Sequence, residues 1–386
     1  MISARSLQAL SDNFEMSGYI KYLSVVSEYP GIEGTLYDQL VHGRLNTVWH
    51  PGGSVSGQMD IRMRAFHGDS VSKIPQYSEY IKDEYVFTNL DSTLWKGRKD
   101  TGYIQTDRLS LNYSKGNSEI SVGRQRIAWG TSLVWNIIDI FNPKSVLDFD
   151  YEEKPGADSL RLQHYIGALS KVELSVRPGS GYKNSTAAGL YSTNLSGYDL
   201  FLILGARNNR WITGGAWAGS ILDGGFRGEF LISQSPDRDA SKDIYPKHVS
   251  GNTLFTSGKT SVSFVLSGDY TFENSFYIHS ECLYNSNGKR NNAGILLKEA
   301  GDAGMLSPAR WSLYQEFAFD ISPLTRGTVY SIFNPDDHSH IIVPMLSRSL
   351  AANVDLLLIG FYPSGKPGTE FGVYGKSFNL RLKYSF

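Results

Sequence analysis

Period-two alternation, sustained over segments too long for a soluble sheet, constrains this chain more than any other feature. Residues 54–67, SVSGQMDIRMRAFH, put Val55, Gly57, Met59, Ile61, Met63 and Ala65 on one face and Ser56, Gln58, Asp60, Arg62 and Arg64 on the other. That is a strand with two different surroundings. The preceding YDQLVHGRLNTVWH joins it through Pro51-Gly52-Gly53, so the two form a hairpin with a short turn. The unit recurs in YIQTDRLSLNYS with SEISVGRQRIA, SLRLQHYIG with KVELSVRPG, SVSFVLSGDYTF with SFYIHSECLYN, and WSLYQEFAFDIS with RGTVYSIFN. Most segments run nine to thirteen residues. A tilted strand needs about 9–11 residues to cross a hydrocarbon core, whereas soluble strands average about 5–6.

The connections are unequal. Turns of two to four residues alternate with long polar stretches at roughly 68–102, 128–158, 235–259 and 286–309. Short turns on one side and long loops on the other predict an all-β, transmembrane antiparallel β-barrel with periplasmic turns and external loops. If the first strand (14–26) rises from the periplasm, the middle of the chain must supply strands near 170–178, 186–194, 197–206, 210–220 and 224–234. The count is then about 18 strands, with 16 as the alternative because 179–223 is glycine-rich and weakly patterned. Residues 1–13 read as a periplasmic N-terminal segment and 14–386 as one barrel, with no helix of useful length beyond a turn within 131–148.

Composition narrows the function. Of the 386 residues 19% are charged, against about 25% in soluble domains. The net charge of −1 lacks the cationic surplus a nucleic-acid binder needs. One cysteine, Cys282, forms no internal disulfide, and no zinc spacing occurs. No run of about 18 apolar residues marks a membrane helix. The opening MISARSLQALSDNFEMSG has no signal-peptide pattern, so the protein is either intracellular or one in which Met1 replaces a removed signal peptide. The strand pattern selects the second.

In a membrane barrel the apolar face meets lipid and the polar face lines the lumen. The expected pore-lining residues are Asp60, Arg62, Arg64, Glu173, Arg177, Glu316 and Asp320, together with Lys171, Arg381 and Lys383. Trp49, Phe66, Tyr103, Tyr113, Trp211, Trp217, Phe276, Tyr284, Trp311 and Tyr330 stand at strand ends, as girdle aromatics do. Segment 123–143, GRQRIAWGTSLVWNIIDIFNP, departs from the pattern: Arg124 and Arg126 share parity with Ile120 and Val122, which would set two guanidiniums against lipid. That costs about 2–4 kcal/mol each at the midplane. A bulge at Gly123, or exit from the membrane there, is expected.

This GRQR-x-x-WG run, followed by D-x-FNP, resembles a group of proteobacterial outer-membrane barrels related to porin-like and alginate-export-like channels; the GYIKYL opening and the hairpin rhythm share the resemblance. The final strand, KSFNLRLKYSF, alternates Phe378, Leu380, Leu382, Tyr384 and Phe386 with polar residues. It resembles the C-terminal signal of Gram-negative outer-membrane proteins, which implies recognition by the barrel assembly machinery. The resemblance implies a bacterial outer-membrane location among lipid and lipopolysaccharide, and a loop at about 128–158 folded into the barrel. Arg124, Gln125, Arg126, Asp139 and Asn142 become candidate constriction or loop-anchoring residues, with an Arg126–Asp139 ion pair as the purely structural alternative.

No cofactor and no metal is expected. NPDDHSH at 334–340 holds Asp336, Asp337, His338 and His340, a set that reads first as a hydrophilic turn, as does Glu152-Glu153. His164, His279 and Ser280 lie on strands, but no Gly-x-Ser-x-Gly elbow occurs. The expected function is a channel for small hydrophilic solutes rather than an enzyme. The alternative is a barrel that sheaths or anchors a periplasmic partner of an electron-transfer or export complex, and an outer-membrane hydrolase comes third.

Overall fold

The computed structural model describes residues 13–386 except 76, 78–80, 82–86, 143–152, 154–155, 182–183, 236–259 and 303. The expected segment 1–13 apart from Asn13, most of the 235–259 loop, and residues 143–152 and 154–155 of the expected inward loop 128–158, Glu152 among them, therefore lie outside the described residues.

The strands are β1 (Phe14–Glu28), β2 (Leu36–Trp49), β3 (Val55–Gly68), β4 (Asp91–Lys96), β5 (Asp100–Lys115), β6 (Ser118–Gln125), β7 (Ala157–Ile166), β8 (Ser170–Arg177), β9 (Thr186–Leu195) and β10 (Tyr198–Arg207). They continue with β11 (Arg210–Ile221), β12 (Gly224–Gln234), β13 (Thr260–Thr271), β14 (Phe276–Asn285), β15 (Trp311–Ser322), β16 (Thr325–Phe333), β17 (His340–Ala351), β18 (Val354–Ser364) and β19 (Lys376–Ser385). Each pairs antiparallel with its neighbours, and β1 closes on β19 from Tyr19↔Ser385 to Glu28↔Lys376. The short β4 pairs only with the upper part of β5, where β6 has already ended, while β3 runs the whole length of β5 on its other side. The closed wall therefore has 18 strands, the larger of the two expected counts.

Connections of two to five residues close one end of the barrel; the other end carries the long loops. Two loop-end connections are shorter than expected, 208–209 and 334–339. The long stretch 68–102 contains a one-turn helix, α1 (Asp69–Lys73), as well as β4, and 286–310 contains a second, α2 (Leu297–Asp302). Among the described residues no helix is long and apolar enough to cross a membrane.

Alternation behaves as the sequence dictates on the outer face. Ile20, Tyr22, Val41, Met59, Met63, Leu109, Leu111, Leu202, Leu204, Phe317, Phe319, Leu380 and Leu382 are all exposed there. Trp49, Tyr113, Trp211 and Trp311 join them as exposed rim aromatics. Tyr103 and Tyr330 do not: both are buried on the inner face, and Phe66 packs edge-on against Tyr77. The expected girdle position of Tyr103 and Tyr330 is therefore corrected: strand register turns both rings inward.

The luminal face is not polar throughout. From β9 to β18 it carries Leu190, Ile203, Ile212, Val265, Leu283, Ile332, Ile341, Val343, Ile359 and Phe361, all buried. They are buried because loop 126–142 folds over them and brings Ile127, Trp129, Trp135, Ile137, Ile138, Ile140 and Phe141 into one cluster with that wall. The barrel thus holds an apolar core in half of its interior, where an apolar side chain gains more from packing than from a watery lumen.

Candidate functional site

The inward loop begins where the alternation breaks. Gly123 has φ +115°, and immediately after it Arg124 and Gln125 are both buried, so the chain turns inward instead of presenting Arg124 to lipid. The β5–β6 and β6–β7 registers continue without a slip. The expected bulge is instead in the neighbouring pair: the β3–β5 register shifts between Asp60 and Ile61, leaving Asp107 as an extra residue of β5. Asp107 and Arg108 consequently both point inward and are buried.

Arg124 fastens the base of the loop. Its Nε donates to Asp158 Oδ1 at 2.8 Å, one terminal nitrogen to the Thr106 carbonyl at 2.8 Å, and the other to Asp158 and the Thr88 carbonyl. Gln125 donates to the Ser159 carbonyl at 3.2 Å. Arg126 is exposed whereas Asp139 and Asn142 are buried, and the anticipated Arg126–Asp139 pair does not form; Arg124 with Asp158 takes that role.

The loop crosses the lumen and docks on strands six and eight places around the wall from β6. Two buried carboxylates receive it. Glu229 of β12 accepts the backbone N–H groups of Thr131 at 2.6 Å, Ser132 at 2.9 Å and Ile138 at 3.1 Å. Glu281 of β14 accepts those of Trp135 at 2.6 Å, Val134 at 3.2 Å and Leu133 at 3.3 Å. A loop without internal ladders needs such partners when buried, and a carboxylate aimed at successive N–H groups supplies strong, charge-assisted ones.

Two anticipated pore residues also hold the loop. Glu173 is fully buried and accepts the Trp129 indole N–H at 2.8 Å along with a two-pronged Arg161 at 2.7 and 2.8 Å and Lys171 at 3.1 Å. Arg177 donates to the Phe141 carbonyl at 3.2 Å. Glu316 is half-buried in a different network, accepting the Tyr314 hydroxyl at 2.9 Å, with His279 Nδ1 at 3.7 Å. Asp320 pairs with Arg326 at 2.8 Å near the turn end, away from the loop. His279 Nε2 lies 3.0 Å from Ser267 Oγ, so Ser267, His279 and Glu316 line up in the order of a hydrolytic trio. Ser267 is 1% exposed, which denies a substrate carbonyl the approach that nucleophilic attack requires.

Facing the loop, the wall of β19, β1, β2, β3 and β5 carries the charge. Register sets Lys383, Lys21, His42 and Arg64 side by side in one row, and Tyr19, Arg44, Arg62 and Gln105 in the next. Arg44 joins Asp60 at 3.0 Å, Glu153 at 2.8 Å and Asp107 at closer range; Arg62 reaches Gln105 and lies 3.9 Å from Asp107. Arg64 donates to the Ile81 carbonyl at 2.6 Å and stands over the Tyr103 ring. The Lys21 and Lys383 ammoniums both sit on Tyr19, at 4.5 and 5.1 Å from its ring centre. Asp60, Arg62, Arg64 and Arg124 are therefore brought into one region, joined by Lys21, His42, Arg44, Asp107 and Arg108. Alternation alone did not single out these five, because three lie on strands given no face assignment and two sit at a bulge that parity cannot place.

No protein-family model matches the sequence, and no curated protein sequence matches it. Solved structures do. OccK5 (OpdH) of Pseudomonas aeruginosa superposes with a TM-score of 0.60 at 8% identity, covering 97% of this chain and 98% of that one. OccAB4 of Acinetobacter baumannii gives 0.59 at 8% identity over 97% and 98%, and the outer membrane protein OprD of Pseudomonas aeruginosa 0.56 at 8% over 97% and 93%. At this identity the likeness shows the fold alone, a closed 18-strand antiparallel β-barrel.

Proposed function

We propose that this chain is an outer-membrane channel for small hydrophilic solutes, with a preference for those carrying an anionic group. One observation carries the reading. A loop built from Ile127 to Phe141 is bolted across the lumen onto Glu229 and Glu281, and the opposite wall gathers the buried Lys21, His42, Arg44 and Arg62 with the half-buried Arg64 and Lys383. Fixed charges of one sign at a narrow section select by electrostatics, and an apolar filler beside them concentrates the field. Asp60, Asp107 and Glu153 compensate Arg44.

The porin-type fold of the solved relatives supports the outer-membrane location and a non-catalytic role. The finer resemblance to alginate-export-like barrels stays part of this proposal, as does assembly by the barrel machinery. The decisive experiment is reconstitution in planar bilayers across a potassium chloride gradient. Stepwise conductance with a reversal potential on the anion side is the expected outcome. A silent barrel that co-purifies with a periplasmic protein would replace the channel by the sheath.

A further inference from the structure

The outer wall carries a groove of about 430 Å³ across the lipid-facing side of β15 to β18. Its floor is Gly327, Val329 and Pro344, and aromatic rings bank it at both ends, Phe317 and Phe319 on one side and Tyr362 on the other. Register explains the depression. Gly327 lies between Phe319 and Leu346, and Val329 between Phe317 and Pro344, so small or ring-closed residues sit where neighbouring strands project large ones. The hollow is walled by aromatic and aliphatic side chains of β15 to β18, the surface an acyl chain packs against.

A cation stands below the groove. Arg348 has outward parity on β17, pairs across to Thr325 and Leu356, and is exposed. It lies two residues, about 7 Å, toward the turn end from the groove residue Leu346. A guanidinium on the lipid face is tolerated near the rim and costly at the midplane, so its place fits the headgroup level of the turn-side leaflet.

We infer that this groove with Arg348 is a binding site for a phospholipid of the leaflet at the turn end, the acyl chain lying over Gly327 and the phosphate on Arg348. The inference rests on the membrane placement of the barrel, not on conduction. Van der Waals packing in the hollow fixes the chain, and charge complementarity fixes the register of the headgroup.

The test is native mass spectrometry of the detergent-purified barrel titrated with dipalmitoyl phosphatidylglycerol. Gly327→Leu fills the groove without strain, since a Cβ there meets only Ile321, at 3.4 Å. It should weaken retention of the tightest lipid at least roughly tenfold. Arg348→Ala should weaken it about fivefold, the worth of one basic residue at a lipid surface. Leu204→Ala on the distant outer face of β10 should change nothing. Heat-modifiable migration verifies folding of each variant, and Val329→Phe replaces Gly327→Leu if that one fails to fold. Equal retention by wild type and both groove variants overturns the site, as does selective retention of lipopolysaccharide instead of phospholipid. A silent barrel that still binds the lipid overturns the channel and leaves this site standing.

Discussion

Glu229 and Glu281 show what a residue-by-residue reading of the sequence reaches and where it stops. Parity along β14 puts Glu281 on the inner face, but the partners of both carboxylates are main-chain N–H groups of a loop some 90 to 150 residues away, and an N–H leaves no mark in a sequence. Glu229→Gln keeps the shape and removes one anionic acceptor from three bonds; hydrogen bonds to charged groups are worth about 1.5–3 kcal/mol each. The expected result is faster proteolytic cleavage within 131–138 and noisier single-channel current, and the double variant with Glu281→Gln should raise mean conductance. Outside the membrane-spanning strands, Glu370 offers a pH test. It is 4% exposed in the 365–375 loop, where it accepts Ser307 Oγ at 2.7 Å and Asn334 Nδ2 at 3.0 Å. Burial, with Asp337 nearby, pushes its pKa from 4.5 up to about 7. The packed loop then binds a proton that the opened loop releases between pH 4.5 and about 7. Packing is therefore strongest below 4.5, weakens as pH rises to about 7, and is level above that. Hydrogen exchange of residues 366–374 should accelerate over that window, and Glu370→Gln should abolish the slope.

At the scale of elements, most strands were legible because each has two surroundings, lipid and interior, and the chain must alternate to satisfy both. Residues 224–234 and 210–220 were placed within a residue of β12 and β11. What failed to show was structure that obeys a third environment. The β9–β18 wall faces neither lipid nor water but the apolar loop, so its inward residues include Ile203, Val265 and Val343, which no polar-in rule would assign to a lumen. Helix α1 and strand β4 were hidden for a similar reason: one helical turn, or one strand of six residues, carries too few periods to be seen. The break at Gly123 was visible as a conflict of parity, although its form, a positive-φ kink with an unbroken ladder, was not. Gly123→Ala tests it. A Cβ there would stand 2.2 Å from the Leu109 carbonyl oxygen at φ +115°, and a side chain in such backbone costs about 1–3 kcal/mol before the clash is counted. The variant should unfold at lower temperature in heat-modifiability assays and lose the Arg124–Asp158 anchor. Ser110→Ala on the adjoining strand should do neither.

The whole molecule divides its interior into an apolar half that positions a loop and a charged half on the opposite wall, whose Lys21, His42, Arg44 and Arg62 are buried, and this division decides which charges matter. The net charge of −1 conveyed nothing of it, since an average over the chain cancels what the barrel separates in space. Asp320 and Arg326 neutralise each other near the turn end, and Glu173 is consumed by Arg161, Lys171 and Trp129. Asp320 and Glu173 belonged to the anticipated pore lining, yet their charge is spent on partners already in place. Lys21 and Lys383 lie side by side across the β1–β19 seam, both on the ring of Tyr19. On the proposed channel reading, this pair is where a change of sign is to be tried. Lys21→Glu with Lys383→Glu reverses two charges, a change of four units, at one level of the passage while leaving the loop anchors Glu229, Glu281 and Arg124 untouched. The reversal potential in a potassium chloride gradient should move from the anion side in the wild type to the cation side in the double variant. The shift should shrink at high salt, where the screening length falls from about 10 Å at 0.1 M to about 3 Å at 1 M. An unchanged reversal potential with normal conductance would place the selective section elsewhere along the lumen.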